Sequence, residues 1–212
     1  MLIQDKSGSP CKAIPIGYGL AVSRDGAFIV STSRDKTLKV WDAHTGAECL
    51  TLKGHTDWVH GCAVSPDGTW IVSASNDNTL KVWDTHTGAE RFTLLGHTDW
   101  VHDCAVSSDG RWIVSASSDK TLKMWDAHTG AECLTLKGHT SWVDGCAISP
   151  DGTWIVSVSE DNTLRLWNVH NGSCPLVLRV GGFLLLTCAF SPDGEHLLAG
   201  GSGGLYFLRL VQ

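Results

Sequence analysis

Long apolar runs are missing from this sequence of 212 residues, and no stretch approaches the roughly 18 apolar residues that a membrane-spanning helix needs. Positive charge is in deficit, with 16 lysines and arginines against 22 aspartates and glutamates and a formal net charge of -6. That balance repels phosphate backbones and anionic lipid, so neither nucleic acid nor a membrane surface is an expected partner. The opening "MLIQDKSGSP" lacks the basic and apolar regions of a secretory signal, and a cytoplasmic location is the expectation. Helical periodicity is absent too, because glycine or proline interrupts the chain roughly every eight to twelve residues. Cysteine is not scarce, but no Cys-x-x-Cys pair offers zinc-ligand spacing. Four of the eight cysteines, Cys62, Cys104, Cys146 and Cys188, recur in apolar runs, where a free thiol acts as a small hydrophobe. No cofactor and no metal is expected.

What the chain has is repetition. The segment "WDAHTGAECLTLKGHT" begins at Trp41 and again at Trp125, and a close copy begins midway at Trp83. The period is 42 residues, and it divides a single domain of residues 1–212 into units at about 12–53, 54–95, 96–137, 138–179 and 180–212. Exact duplication of this kind points to recent amplification or deliberate construction. In the second unit "CAVS", "WIVSAS", "TLKVWD" and "RFTLLG" are β-branched or aromatic runs joined by Asp-Gly and Thr-Gly turns, which predicts four antiparallel strands per unit. One such sheet buries little alone. Radial stacking lets each sheet cover the next and leaves only short edges, so the expected fold is all-β, a β-propeller of four-stranded antiparallel blades.

The residues also carry a family resemblance from about Lys12 to Gln212. "GHT" at Gly54, Gly96 and Gly138, "SPDG" at Ser65, Ser149 and Ser191, and Trp-Asp pairs at Trp41, Trp83 and Trp125 resemble the WD-repeat propeller family. The resemblance implies a buried hydrogen-bonded tetrad in each blade. It maps onto His55, Ser73, Asp77 and Trp83, onto His97, Ser115, Asp119 and Trp125, and onto His139, Ser157, Asp161 and Trp167. Imidazole bridging a carboxylate and a hydroxyl, with an indole N–H needing an acceptor, is what burial of these groups demands. Ser, His and Asp also form hydrolase triads, but a triad would occur once, in a cleft, so three copies in one context favour a structural role and no catalytic residues. The first unit has Ala13 in place of the histidine, though Ser31, Asp35 and Trp41 match. The fifth has Gly181, Ala199, Gly203 and Arg209 at the four positions.

The chain runs out after the fifth unit's third strand, and in the family the N-terminal segment supplies the missing one. "PCKAIP" around Cys11 has the right phase, so five blades closed by that strand is the leading expectation. An open arc completed by self-association, or a fragment of a larger propeller, is the alternative.

By resemblance, the loops before the first strand and between the second and third share one face, called the top. Its contact positions are Trp58, His60 and Asn76, then Trp100, His102 and Ser118, then Trp142, Asp144 and Glu160, with Tyr18 and Arg34 in the first unit. Aromatic side chains offer large contact area at low entropic cost, so the three indoles suggest a recognition surface. Trp70, Trp112 and Trp154 begin strand runs and are expected to pack between blades. His44, His86, His128 and His170 sit one per unit in separate turns and cannot converge on one ion. Gly200, Gly201, Gly203 and Gly204 precede no helix and have no lysine partner, so they are no phosphate cradle. The expected function is a non-enzymatic scaffold or sensor that binds a protein or peptide partner through the top face. A carbohydrate-binding propeller, with Asp144 or Glu160 taking hydroxyls, is the alternative.

Overall fold

A computed structural model describes residues 19–181 and 184–210. The apolar runs form strands and the glycine-bearing segments turn, so the described residues are all-β, in five antiparallel meanders. The first sheet holds β1 (Leu20–Val22), β2 (Phe28–Thr32), β3 (Thr37–Asp42) and β4 (Glu48–Lys53). The second holds β5 (Val59–Val64), β6 (Trp70–Ser75), β7 (Leu80–Asp84) and β8 (Glu90–Leu94). The third holds β9 (Val101–Val106), β10 (Trp112–Ser117), β11 (Thr121–Asp126) and β12 (Glu132–Lys137). The fourth holds β13 (Val143–Ile148), β14 (Trp154–Ser159), β15 (Thr163–Asn168) and β16 (Leu176–Arg179). The fifth has three described strands, β17 (Leu185–Phe190), β18 (His196–Gly201) and β19 (Gly204–Arg209).

Local chemistry closes the hairpins. In the β5–β6 turn the Ser65 hydroxyl donates to Asp67 Oδ1 at 2.7 Å, and the same oxygen accepts the Thr69 amide at 3.0 Å. Gly68 takes the φ of 72° that the turn requires, a conformation that costs a residue with a Cβ.

The sheets stack as propeller blades, each pair enclosing one apolar cluster. Val30, Val40 and Leu52 of the first meet Ile71 and Trp83 of the second, and Val72, Val82 and Leu94 of the second meet Ile113 and Trp125 of the third. The pattern repeats for the third with the fourth and the fourth with the fifth. Trp70, Trp112 and Trp154 all pack into these layers. The periodic cysteines do as well: Cys62, Cys104, Cys146 and Cys188 each point Sγ at a carbonyl of the preceding blade, on Val30, Val72, Val114 and Val156. Burial pushes the Cys62 thiol up to about 12, which makes it inert as a nucleophile.

The fifth blade departs from the period. In the second blade Ile71 faces Trp83 and Val72 faces Val82, whereas in the fifth Leu197 faces Leu208 and Leu198 faces Phe207. Strand β19 has therefore slipped by one residue against the 42-residue register, and Leu208, not Arg209, occupies the tryptophan position. The cause is the turn. Asp77 Oδ1 accepts the Thr79 amide at 3.1 Å and its hydroxyl at 2.6 Å, holding a wider turn in the second blade. Gly203 has no carboxylate, and the connection tightens until Gly201 pairs with Gly204. One residue of slip moves every side chain of β19 to the opposite face.

Among the described residues no apolar cluster joins the fifth blade to the first, so the described blades form an arc with an apolar face at each end that no other described blade covers. On the first blade Leu20 and Val22 are 66% and 61% exposed, and on the fifth Leu205 and Phe207 are 58% and 69% exposed. The segment "PCKAIP" expected to clasp the ring lies outside the described residues. No helix among the described residues is long and apolar enough to cross a membrane.

Candidate functional site

Under the top loops lies a rigid polar frame. In the second blade His55 Nδ1 meets Asp77 Oδ2 at 2.8 Å and Nε2 meets Ser73 Oγ at 2.8 Å, while the Trp83 indole N–H donates to Ser73 Oγ at 2.9 Å. The third blade repeats this with His97, Asp119, Ser115 and Trp125 at 2.7, 2.7 and 2.9 Å. The fourth does so with His139, Asp161, Ser157 and Trp167 at 2.9, 2.8 and 2.8 Å. One direction of donation satisfies the set: indole to hydroxyl, hydroxyl to Nε2, and Nδ1–H to carboxylate. Burial would raise the Asp77 and Asp119 carboxyls, but hydrogen bonds from His55 and Thr79, and from His97 and Thr121, outweigh it and hold both well below the usual range. In the first blade Trp41 still donates to Ser31 at 2.9 Å, while Ala13 lies outside the described residues.

The frame positions the loops. Asp77 Oδ2 also accepts the Thr56 amide at 2.9 Å, tying the loop before β5 to the turn after β6. One step further out, the amides of Asn76, Ser118 and Glu160 donate to the carbonyls of Trp58, Trp100 and Trp142 at 2.9, 2.8 and 3.1 Å. The residue before each turn aspartate is thereby paired with the tryptophan of its own blade. Their backbones fixed, the three indoles stand 38%, 42% and 41% exposed.

The top positions form a graded row. At one end the Arg34 guanidinium lies over the Trp58 ring, 4.6 Å from its centroid. In the middle His102 stands 5.5 Å from His60, 6.5 Å from Trp100 and 6.1 Å from Trp142, ring centre to ring centre, and the two indoles are 6.2 Å apart. His102 Nε2 lies 2.6 Å from the buried Ser118 hydroxyl. Burial, helped by the neighbouring His60, lowers the His102 imidazole to about 4, so it is neutral at pH 7. At the far end burial and the Glu160 charge push the Asp144 carboxyl up to about 7, and Asp144 Oδ2 is buried without a hydrogen-bond partner. Tyr18 lies outside the described residues. In the fifth blade the equivalent positions are the exposed Leu184 and Leu186, with the Ser202 amide donating to the Leu184 carbonyl at 3.0 Å.

Other candidates fall elsewhere. His44, His86, His128 and His170 are exposed in outer turns, where their amides donate to Asp42, Asp84, Asp126 and Asn168. Among the described residues no cluster of three or more His, Cys, Asp or Glu side chains could hold a metal ion.

One partly buried carboxylate has no counterpart among the residues singled out from the sequence. Asp103 sits on β9 where β5 and β13 carry Gly61 and Gly145, and its carboxylate accepts the Cys104 amide at 2.9 Å and, across the blade boundary, the Cys146 amide at 3.0 Å. Burial pushes this carboxyl up to about 6 against both hydrogen bonds. The visible signal was an aspartate at a glycine position of a strict repeat. Adjacent inner strands run so close that a Cβ on Gly61 would meet Asp103 Cα at 2.9 Å.

Comparison with known proteins agrees with this architecture. Residues 12–42, 46–84, 88–126 and 130–168 match the WD40 family model, described as WD domain, G-beta repeat. Among curated proteins, the chain is 49% identical over 45 residues to nuclear distribution protein PAC1-2 of Postia placenta, covering 21% of this chain and 10% of that protein. It is 49% identical over 59 residues to nuclear distribution protein PAC1 of Arthroderma otae, 28% of this chain and 13% of that one. The Lissencephaly-1 homolog of Branchiostoma floridae is 55% identical over 38 residues, 18% of this chain and 9% of that protein. Each match spans only a small part of the relative. Four repeat matches spread over more than half of the sequence, on blades of the geometry described above, make this chain a member of the WD-repeat family.

Proposed function

We propose that the chain is a non-enzymatic interaction module whose top face binds a segment of a protein partner. The observation that carries the reading is the contiguous Trp100, His102 and Trp142 cluster, its two indoles part-exposed on loops pinned to a buried frame and His102 between them at the start of β9. Rigid aromatic anchors lose little entropy on binding, which is why they dominate interface energetics. A non-catalytic role is supported by the full burial of Ser73, Ser115 and Ser157, whose hydroxyls already engage an indole and an imidazole. At the acidic end a basic side chain of the partner would favour ionised Asp144 beside Glu160. Relatives named for nuclear distribution support a protein partner only at the level of a shared repeat.

The test is selection of displayed peptides on the wild-type chain, followed by affinity measurement on Trp100→Ala and Trp142→Ala. Loss of at least tenfold in affinity, with unfolding midpoints preserved, is the expected result. Equal binding by both variants would remove the top face from the function.

A further inference from the structure

We propose that the two open faces of the arc bind each other between copies of this chain, head to tail. The interior of the molecule supplies the template, because every blade boundary joins the same two surfaces. A blade's trailing face contributes residues such as Val72, Ala74, Leu80 and Val82, and the leading face of the next contributes Cys104, Val106, Ile113 and Trp125. Four boundaries of this kind are closed within the chain.

The leading face of the first blade carries the matching set with no described blade packed on it. Leu20, Val22, Ile29 and Trp41 stand one period before Cys62, Val64, Ile71 and Trp83. Ile71 and Trp83 are 0% and 1% exposed under the first blade, whereas Leu20 and Val22 are exposed and Ile29 and Trp41 only partly buried.

The trailing face of the fifth blade is the complement. Because β19 has slipped, Phe207 faces Leu198 as Val82 faces Val72, and Leu205 faces Gly200 as Leu80 faces Ala74. Leu198, Leu205 and Phe207 therefore present the apolar residues that elsewhere receive an Ile and a Trp from the next blade. Exposed apolar faces of this extent mark association surfaces. The occupant is a second copy, since its leading face continues an interface already built four times in this molecule. Such a contact joins unlike surfaces, so it closes into a ring or extends as an open chain. Neither face includes Trp100 or Trp142, so this inference and the top-face reading fail independently.

Sedimentation of the 212-residue chain over a range of micromolar concentrations tests it, together with a leading-face variant (Leu20→Asp with Val22→Asp) and a trailing-face variant (Leu205→Asp with Phe207→Asp). The wild type should self-associate, and each variant alone should weaken association at least tenfold with an unchanged circular dichroism spectrum, because the altered side chains are exposed. An equimolar mixture of the two variants should recover a two-chain species through the single intact joint. A monomeric wild type would overturn the proposal. Association that survives both variants, is lost in only one, or is not restored by mixing would also overturn it.

Discussion

Leu208 lies directly across the fifth blade from Leu197, at the place a strict 42-residue period reserves for Arg209. The slip puts Tyr206 and Leu208 against the fourth blade and turns Leu205 and Phe207 outward. Substitution reads this register directly. Leu208→Asp should destabilise the fold by about 2 kcal/mol, because it places a charge on the packed side, while Phe207→Asp should leave monomer stability within about 0.5 kcal/mol. Urea unfolding midpoints report both, and the reverse ranking would restore the periodic register.

The buried networks should rank by completeness. Ser73→Ala strips acceptor and donor from Trp83 and His55 in a closed environment and should cost about 1 to 3 kcal/mol. Ser31→Ala removes the acceptor of Trp41, an indole that is only partly buried, and should cost less. Denaturant unfolding of the two variants under one buffer gives the comparison.

Asp144 should make stability fall as pH rises. Its folded carboxyl is pushed up to about 7 from the ordinary value near 3.8, so the folded state holds a proton that the unfolded state has released across that window. The contribution is complete below about pH 4 and is lost as pH climbs through 7. Asp144→Asn, which cannot ionise, should therefore gain stability on the wild type between pH 5 and pH 8. A constant difference between the two proteins over that range would contradict the assignment.

At the acid end the sign reverses. Asp77 and Asp119 are held below the usual carboxylate range, so their contribution is present above about pH 4 and disappears as pH falls below it. Asp119→Asn should lower the unfolding midpoint at pH 6 and make the remaining loss between pH 4 and pH 2 shallower than in wild type, measured by circular dichroism.

Gly61→Ala should cost about 1 to 3 kcal/mol, because the added methyl meets main-chain atoms of the neighbouring strand that cannot yield. The same substitution at Gly181, whose Cβ would meet nothing within 4 Å, should be close to neutral. Thermal unfolding of the pair separates inner-strand packing from a general glycine effect.

The repeat made the strands and turns legible in the sequence, and the family resemblance did the same for the polar frames. Asp, His, Ser and Trp recur at fixed offsets, and burial leaves such groups few other partners. The family resemblance placed the three indoles on one set of loops. The approach of Trp100 to Trp142 through His102, and the reach of Asp103 to the Cys146 amide, required the distance between blades, which no single repeat encodes.

By itself the sequence determined what is local: the apolar runs of each strand, glycine in the hairpin turns, and a full hydrogen-bonded set in the second, third and fourth blades. Tertiary structure alone decided the register of β19 and which apolar side chains the described blades leave outward at the two ends. A 42-residue period counts positions along the chain, whereas register answers to which side chains find cover, and with no carboxylate at Gly203 to hold the turn, packing of Leu208 against the fourth blade prevailed.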